Sequence, residues 1–289
     1  MAPRAGALMA AEVHTVVPGA ARLGEAPLWD ASRSVLWWVD IEGGVLHRHD
    51  PSGGDAKLRV ASPLAFAYPR AADGLVVGLR DRFAALDPET GALADLTGSI
   101  AGCGDRLNDA ALDRSGRVLA GGMGEGAAFH TLHADHDTTC WRTGVRTANG
   151  LALSPNGQRL YFSDSHPDIR KVWSVPYDPD DGTVGPPELF LDTKDLPGRP
   201  DGGCVDADGC YWSALIGGGC IARVTPEGRI DRMVDLPTAN PTKPAWGGAD
   251  LDVLYVTSLS REGRAAADGG LYAITGLGAC GLPETPYAG

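Results

Sequence analysis

Short apolar runs separated by tight polar turns recur along most of this chain. The segment EAPLWDASRSVLWWVD combines two such runs around one turn, and comparable segments follow it. Apolar runs of this length, bounded by turn residues, are typical of β-strands. The copies begin at Glu25, Phe66, Asn108, Asn149 and Asp201, with a looser sixth near Pro244. They are spaced by roughly 40 to 50 residues, the length of a four-stranded propeller blade. The pattern predicts an all-β fold, a six-bladed β-propeller with four-stranded antiparallel blades around a central channel.

The two ends of the chain are predicted to meet in the last blade. A ring of blades leaves an unpaired edge strand unless its first and last segments pair. Glu12 to Val17 lies upstream of the first full copy and is the natural partner of Leu271 to Thr275. We therefore expect one propeller domain over residues 12–289, preceded by a flexible segment at residues 1–11.

Polar residues occupy the first position of four copies, just before an apolar strand. The innermost strands of a propeller run along the channel in one direction, so these positions should meet at one rim. Two carboxylates held close together repel each other unless a cation lies between them. Oxygen ligands suit Ca²⁺, Mg²⁺, Mn²⁺ or Fe²⁺, and a set without Cys or His argues against a structural zinc site. Capping of strands by local hydrogen bonds is the alternative, but the shared repeat position favours one divalent metal ion. The four residues are Glu25, Asn108, Asn149 and Asp201.

Composition and charge narrow the range of partners. The formal net charge of −12 repels phosphate backbones and anionic lipid, so we expect neither a nucleic acid nor a membrane partner. Residues 1–11 lack the apolar stretch of a secretory signal. The six cysteines contain no Cys-x-x-Cys pair, which is typical of reduced thiols and indicates a cytoplasmic protein. We expect a monomer or a weak homo-oligomer.

Several motifs resemble one known family. They are LGEAPLWD (Leu23 to Asp30), LWWVDI (Leu36 to Ile41), DRLND (Asp105 to Asp109), NGLALSPNG (Asn149 to Gly157), PDGGCVDADG (Pro200 to Gly209) and WGGADLDVLYVTS (Trp246 to Ser258). In this order they resemble the SMP-30/gluconolactonase/luciferin-regenerating enzyme family, of the sugar lactonase type. The resemblance covers nearly the whole chain and implies a six-bladed propeller.

The resemblance also implies roles for individual residues. It implies that Glu25, Asn149 and Asp201 hold the metal ion and that Arg106 and Asn108 contact the substrate. The chain departs from the family pattern at Ala26 and Ala110, where glycine is usual. An acidic substrate contact of some members falls at Gly126 here, with Glu125 beside it, so we take Glu125 as the candidate. For Arg106, the alternative is an ordinary surface charge on a loop.

The implied function is metal-dependent hydrolysis of a sugar lactone to the open-chain aldonic acid, as in a gluconolactonase or pentonolactonase. A cation with three protein ligands keeps positions open for water and substrate. The metal could be Ca²⁺, Zn²⁺, Mn²⁺, Mg²⁺ or Fe²⁺. The base is Asp201 or a hydroxide held by the cation, and the residues do not distinguish the two. A phosphotriesterase-like hydrolase and a non-catalytic binding propeller are the alternatives. A Gly-x-Ser-x-Gly motif is absent, so a serine hydrolase has no support.

Overall fold

The computed structural model describes residues 11–19, 21–260 and 268–289, and within them all regular structure is β. Chain order runs β1 (Glu12–Val17), β2 (Gly24–Asp30), β3 (Val35–Asp40), β4 (Val45–Asp50), β5 (Gly54–Arg59), β6 (Phe66–Pro69), β7 (Leu75–Gly78), β8 (Phe83–Leu86), β9 (Leu93–Asp95), β10 (Arg106–Leu112), β11 (Val118–Met123) and β12 (Ala128–Leu132). It continues with β13 (Thr138–Thr143), β14 (Ala148–Leu153), β15 (Arg159–Asp164), β16 (Lys171–Pro176), β17 (Glu188–Asp192), β18 (Arg199–Val205), β19 (Tyr211–Ile216), β20 (Cys220–Val224), β21 (Ile230–Asp235), β22 (Pro241–Gly247), β23 (Val253–Ser258) and β24 (Leu271–Thr275).

These strands form six four-stranded antiparallel sheets, each one blade. Five blades use consecutive strands, namely β2 to β5, β6 to β9, β10 to β13, β14 to β17 and β18 to β21. The sixth has the order β22, β23, β24 and β1. The first strand of each blade contacts the first strand of both neighbouring blades, so these six inner strands surround a central channel. The predicted six-bladed propeller is confirmed.

The ring closes through the pairing predicted from the sequence. Strand β1 runs antiparallel to β24, with Glu12 opposite Thr275 and Val13 opposite Ile274. The outer strand of the last blade is therefore supplied by the start of the chain, so one sheet joins the two ends of the ring. Of the predicted flexible segment, residues 1–10 lie outside the described residues. The assignment of residues 12–289 to one domain stays a prediction.

Five of the six inner strands carry a β-bulge, and this corrects the alignment of the repeats. The extra residue follows Glu25 in β2, Leu107 in β10, Asn149 in β14, Pro200 in β18 and Pro241 in β22. Glu25 and Asn149 therefore lie directly before the bulge, whereas Asn108 and Asp201 lie inside it. Pro244 follows its bulge and is not equivalent to either pair. A bulge changes the direction of the side chains next to it. Residues directly before a bulge and residues inside one can therefore reach the same rim of the channel.

Aromatic side chains pack neighbouring blades against each other. Phe129 on β12 stacks on Trp141 of its own blade at a centroid distance of 4.6 Å and meets Phe162 of the next blade at 4.9 Å. Such aromatic pairs stabilise beyond their buried area. The core therefore lies between the sheets and leaves the inner strands free to line the channel.

Acid is expected to destabilise the fold through His47. Its ring lies 3.8 Å from that of Trp38 on the paired strand, and Nε2 has no hydrogen-bond partner within the described residues. Burial, followed by the nearby Lys57, lowers the pKa of His47 from 6.5 to about 4. Between these two pH values the unfolded chain binds a proton at His47 that the folded chain does not. The contribution of His47 to the free energy of unfolding is therefore fully present above pH 6.5 and is lost as the pH falls towards 4. This amounts to roughly 3 kcal/mol of unfolding free energy.

Denaturant melts from pH 7 to pH 4 measure this loss. A His47→Phe variant keeps a ring against Trp38 and should lose less stability over that range than the wild type. Substitution of the exposed His14 by glutamine is the control. An equal loss of unfolding free energy in wild type and His47→Phe would show that His47 is not the source of the acid sensitivity.

Candidate active site

Four polar side chains form a continuous hydrogen-bonded chain at one end of the channel. Arg106 Nη1 donates to Asn108 Oδ1 at 2.6 Å, and Asn108 Nδ2 donates to Asn149 Oδ1 at 3.0 Å. Asn149 Nδ2 in turn donates to Asp201 Oδ1 at 2.6 Å. The side chains come from β10, β14 and β18, the inner strands of three successive blades. The structure therefore brings together side chains from three stretches of the sequence, with Asn149 lying 41 positions from Asn108 and 52 from Asp201.

Glu25 on β2 is buried and belongs to the same charged cluster. Its Oε2 accepts the backbone N–H of Ala26 at 2.9 Å. Ala26 is the first bulge residue and has a φ of 48°, and Gly150 at the matching position of β14 has 66°. This is the left-handed region, in which alanine is strained and glycine is not. The structure thus explains why glycine suits this position. Replacing it by Ala26 strains the backbone but changes none of the polar side chains of the site.

Burial and mutual repulsion perturb the carboxylates. Burial, then the charge of Asp109, raises the pKa of Glu25 to about 7. Burial, then the charge of Glu25, holds the pKa of Asp201 well above its usual range. Each carboxylate disfavours ionisation of its neighbour. Additional positive charge at this end of the channel would therefore stabilise the ionised forms.

Oxygen atoms dominate the donor set around these carboxylates. Within residues 11–19, 21–260 and 268–289 no cluster of three or more His, Cys, Asp or Glu side chains could hold a metal ion. Glu25 and Asp201 supply two carboxylates, and Asn149 carries an amide oxygen, which accepts a hydrogen bond from Asn108. Asn149 Nδ2 is also held by Ser165 Oγ at 2.8 Å. This chemistry fits a hard divalent cation.

Arg106 and Glu125, both candidate substrate contacts, differ in their surroundings. Arg106 is half-buried at the start of β10, and in the described part of the chain all its hydrogen bonds come from Nη1. Glu125 is exposed in the turn between β11 and β12, two residues after Met123, the sheet partner of Arg106. The hydrogen-bonded chain does not include Glu125. A side chain at Gly126, where φ is 75°, would meet nothing within 4 Å.

A buried ion pair that the sequence did not indicate lies next to the candidate site. Lys243 Nζ donates to Asp109 Oδ1 and, at 2.6 Å, to Ala110 O, and lies 3.3 Å from Tyr68 Oη. A lysine between two prolines in an otherwise uncharged inner strand was the available signal. For Asp109 the available signal was its place directly after Asn108, one of the candidate site residues.

Comparisons with known proteins agree with the motifs. The family model described as SMP-30/Gluconolactonase/LRE-like region matches residues 23–260. The pentonolactonase XacC of Haloferax volcanii is 34% identical over 265 residues, which cover 89% of each chain. The 6-deoxy-6-sulfogluconolactonase of Pseudomonas putida is 36% identical over 254 residues, or 85% of this chain and 86% of the relative. The solved structure of a calcium-binding protein, regucalcin, from Agrobacterium tumefaciens has a TM-score of 0.83 at 23% identity, covering 94% of this chain and 97% of that one. This last similarity concerns the fold.

Proposed function

Because this chain belongs to the SMP-30/gluconolactonase/LRE-like family, we propose that it hydrolyses a sugar lactone to the aldonic acid with the help of one divalent cation. The carrying observation is that buried Asn149 and Asp201 are hydrogen-bonded to each other and, through Asn108, to Arg106. The buried Glu25 carboxylate lies near enough to raise the pKa of Asp201. Relatives named pentonolactonase and sulfogluconolactonase support the substrate class.

Glu25, Asn149 and Asp201 would hold the cation. Two buried carboxylates whose pKa values are raised by burial and by nearby negative charge supply the negative charge that a dication offsets. In the structure the Asn149 amide nitrogen faces Asp201 and its oxygen accepts from Asn108. Binding of the cation through this oxygen would require a half-turn about the terminal torsion, and the cation would then replace both hydrogen bonds. Oxygen donors accept Ca²⁺, Zn²⁺, Mn²⁺, Mg²⁺ or Fe²⁺.

The cation, when bound, would act as a Lewis acid on the lactone carbonyl. Asp201 is buried in this cluster, and we assign it the role of proton acceptor from the attacking water. Water adds to the carbonyl carbon, the ring C–O bond breaks, and the ring oxygen takes up a proton to become a hydroxyl. The product acid releases one proton at neutral pH, which provides a direct assay.

Arg106 and Asn108 would orient the sugar ring. Since Arg106 bonds Asn108 and the Leu107 carbonyl through Nη1 alone, its Nε and Nη2 donors can meet substrate hydroxyls. Glu125 in the exposed turn above Arg106 would accept a hydrogen bond from a distal hydroxyl. These are polar contacts suited to a hydroxylated ring.

We also propose a cytoplasmic location and a monomer or weak homo-oligomer. All six cysteines are free, three of them buried, as suits a reducing compartment. In the described residues no helix is long and apolar enough to cross a membrane.

Removal of the cation is expected to abolish lactone hydrolysis and lower the melting temperature. A ligand that binds only the native state stabilises it by about 2.7 kcal/mol at a hundred times its Kd. The test is proton release from gluconolactone by chelator-treated protein, before and after addition of each divalent metal, with melting curves in parallel. An organophosphate panel is the comparison.

The outcomes separate the three functions. Metal-restored turnover of lactones supports the proposal. Faster turnover of organophosphates would indicate the phosphotriesterase alternative, and metal binding without any turnover would indicate a binding propeller. Full lactonase activity in metal-stripped protein would overturn the metal site.

A further inference from the structure

The Lys243–Asp109 ion pair divides the channel just below the candidate site. The partners lie on β22 and β10, in opposite blades and 134 positions apart, with side chains only 6% and 1% exposed. Lys243 and Tyr68 also line a cavity of about 90 Å³, to whose wall residues 282–285 contribute. The roles proposed above leave this pair unused.

Asp109 is tied to two of the strands that carry the site. It directly follows Asn108 in the bulge of β10. Its Oδ2 accepts the N–H of Leu151 at 3.0 Å, two residues after Asn149 on β14. A change in the position of Asp109 would therefore move both asparagines.

Lys243 supports the third strand through its aliphatic stem. A Cβ atom at Gly202 would lie 2.5 Å from the Cβ of Lys243, closer than such atoms approach. Gly202 follows Asp201 directly in the bulge of β18. The lysine stem thus packs against the backbone that presents the Asp201 carboxylate, and only glycine leaves room for it.

The charges of the pair reach the site as well. After burial, Asp109 is the strongest influence raising the pKa of Glu25, and Lys243 opposes it. Asp109 also raises the pKa of Asp201, after burial and Glu25. An unpaired Asp109 would place a third uncompensated carboxylate next to these two.

We propose that Lys243 and Asp109 are positioning residues of the lactonase site. They connect the bulges of β10, β14 and β18 and determine the net charge around a cation bound at the site. Lys243 offsets the charge of Asp109, so a cation at Glu25 and Asp201 does not meet a third unpaired carboxylate. This inference rests on the proposed function, because it requires a cation at Glu25 and Asp201.

Single substitutions of the pair should change cation affinity in opposite directions. Asp109→Asn leaves the ammonium free to face Glu25 and should weaken Ca²⁺ binding about tenfold, whereas Lys243→Met adds a net negative charge and should tighten it about tenfold. The double variant restores the charge balance and should bind within about threefold of wild type. The measurement is calorimetric titration of chelator-treated protein with Ca²⁺ alone, repeated with Mn²⁺.

A remote ion pair provides the matched control. Arg223 and Asp206 are similarly buried in blade 5, with Nε and Oδ2 2.8 Å apart. Asp206→Asn and Arg223→Met should lower stability without opposite shifts in Kd. Shifts of the same sign in the two channel variants, or no shift, would overturn the inference. A wild-type protein that binds neither ion would overturn the metal site of the proposed function, and this inference with it.

Melting curves with and without Ca²⁺ cover the case in which a single variant is too unstable to titrate. Ca²⁺ should raise the Tm of Lys243→Met more than that of wild type, and the Tm of Asp109→Asn less. The first substitution removes a positive charge near the ion, whereas the second removes a negative one. If Ca²⁺ does not restore folding of Lys243→Met, or stabilises both variants equally, the charge-setting role is wrong.

Discussion

Replacement of Asp201 by asparagine is expected to lower kcat/KM on a sugar lactone by about a thousandfold or more. Asparagine preserves the size of the side chain and an oxygen that can accept the bond from Asn149, which measures 2.6 Å in the structure. It removes the charge that would hold the cation and accept a proton. Loss of a general base alone costs about 10² to 10⁴ in rate, and loss of the cation adds to it.

The measurement combines initial rates at saturating added cation with the metal content of the purified protein. Asp206→Asn is the matched control, since Asp206 lies in the same hairpin but bonds Trp212 and Arg223 instead of the site. It should lose stability and keep kcat/KM within a few-fold. A folded Asp201→Asn variant that retains more than a tenth of the activity would remove Asp201 from the chemistry.

Aldonolactones are expected to be hydrolysed about 10⁴-fold more efficiently than unsubstituted butyrolactone. A site built to pair hydroxyl groups rejects analogues that lack them by this order, because its own polar groups are then left unpaired. Arg106 is joined to Asn108 Oδ1 at 2.6 Å through Nη1 alone and presents its Nε and Nη2 donors near the carboxylates. Long-chain acyl lactones should also be poor substrates, since these groups offer nothing to an acyl tail.

Proton release at neutral pH tests this preference, with the spontaneous rate subtracted for each compound. The panel contains gluconolactone, a pentonolactone, butyrolactone and an acyl-homoserine lactone. An Arg106→Met variant should lose efficiency on the sugar lactones and change little on butyrolactone. If wild type hydrolyses the plain or acylated ring as well as the sugars, Arg106 and Asn108 do not recognise hydroxyls, although a metal-dependent hydrolase would remain.

The strand pattern was sufficient to predict the architecture. The repeat of apolar runs and turns predicted six blades, and the leftover segments Glu12 to Val17 and Leu271 to Thr275 predicted the closing pair that the structure contains. Alternation and turn chemistry are local properties, so they are legible along the chain without knowledge of distant contacts. The motifs also indicated the family, which the match over residues 23–260 confirms.

The set of site residues was partly accessible in the same way. Arg106, Asn108, Asn149 and Asp201 were singled out from the repeat and the motifs, and the structure joins them by hydrogen bonds. The prediction that these residues occupy the same position of the repeat was wrong. Relative to the bulge of each strand, Asn108 and Asp201 lie one position later than Glu25 and Asn149. A bulge adds one residue without a distinctive sequence, so only the pairing register reveals it.

The layer beneath the site could be found only in three dimensions. Lys243 and Asp109 are 134 positions apart and meet because the ring places blades 3 and 6 on opposite sides of one narrow channel. The clearance that Gly202 gives to the lysine stem likewise depends on two blades packing together. Periodicity identifies which residues line a channel, whereas the partner that a buried charge finds across it depends on the closure of the whole ring.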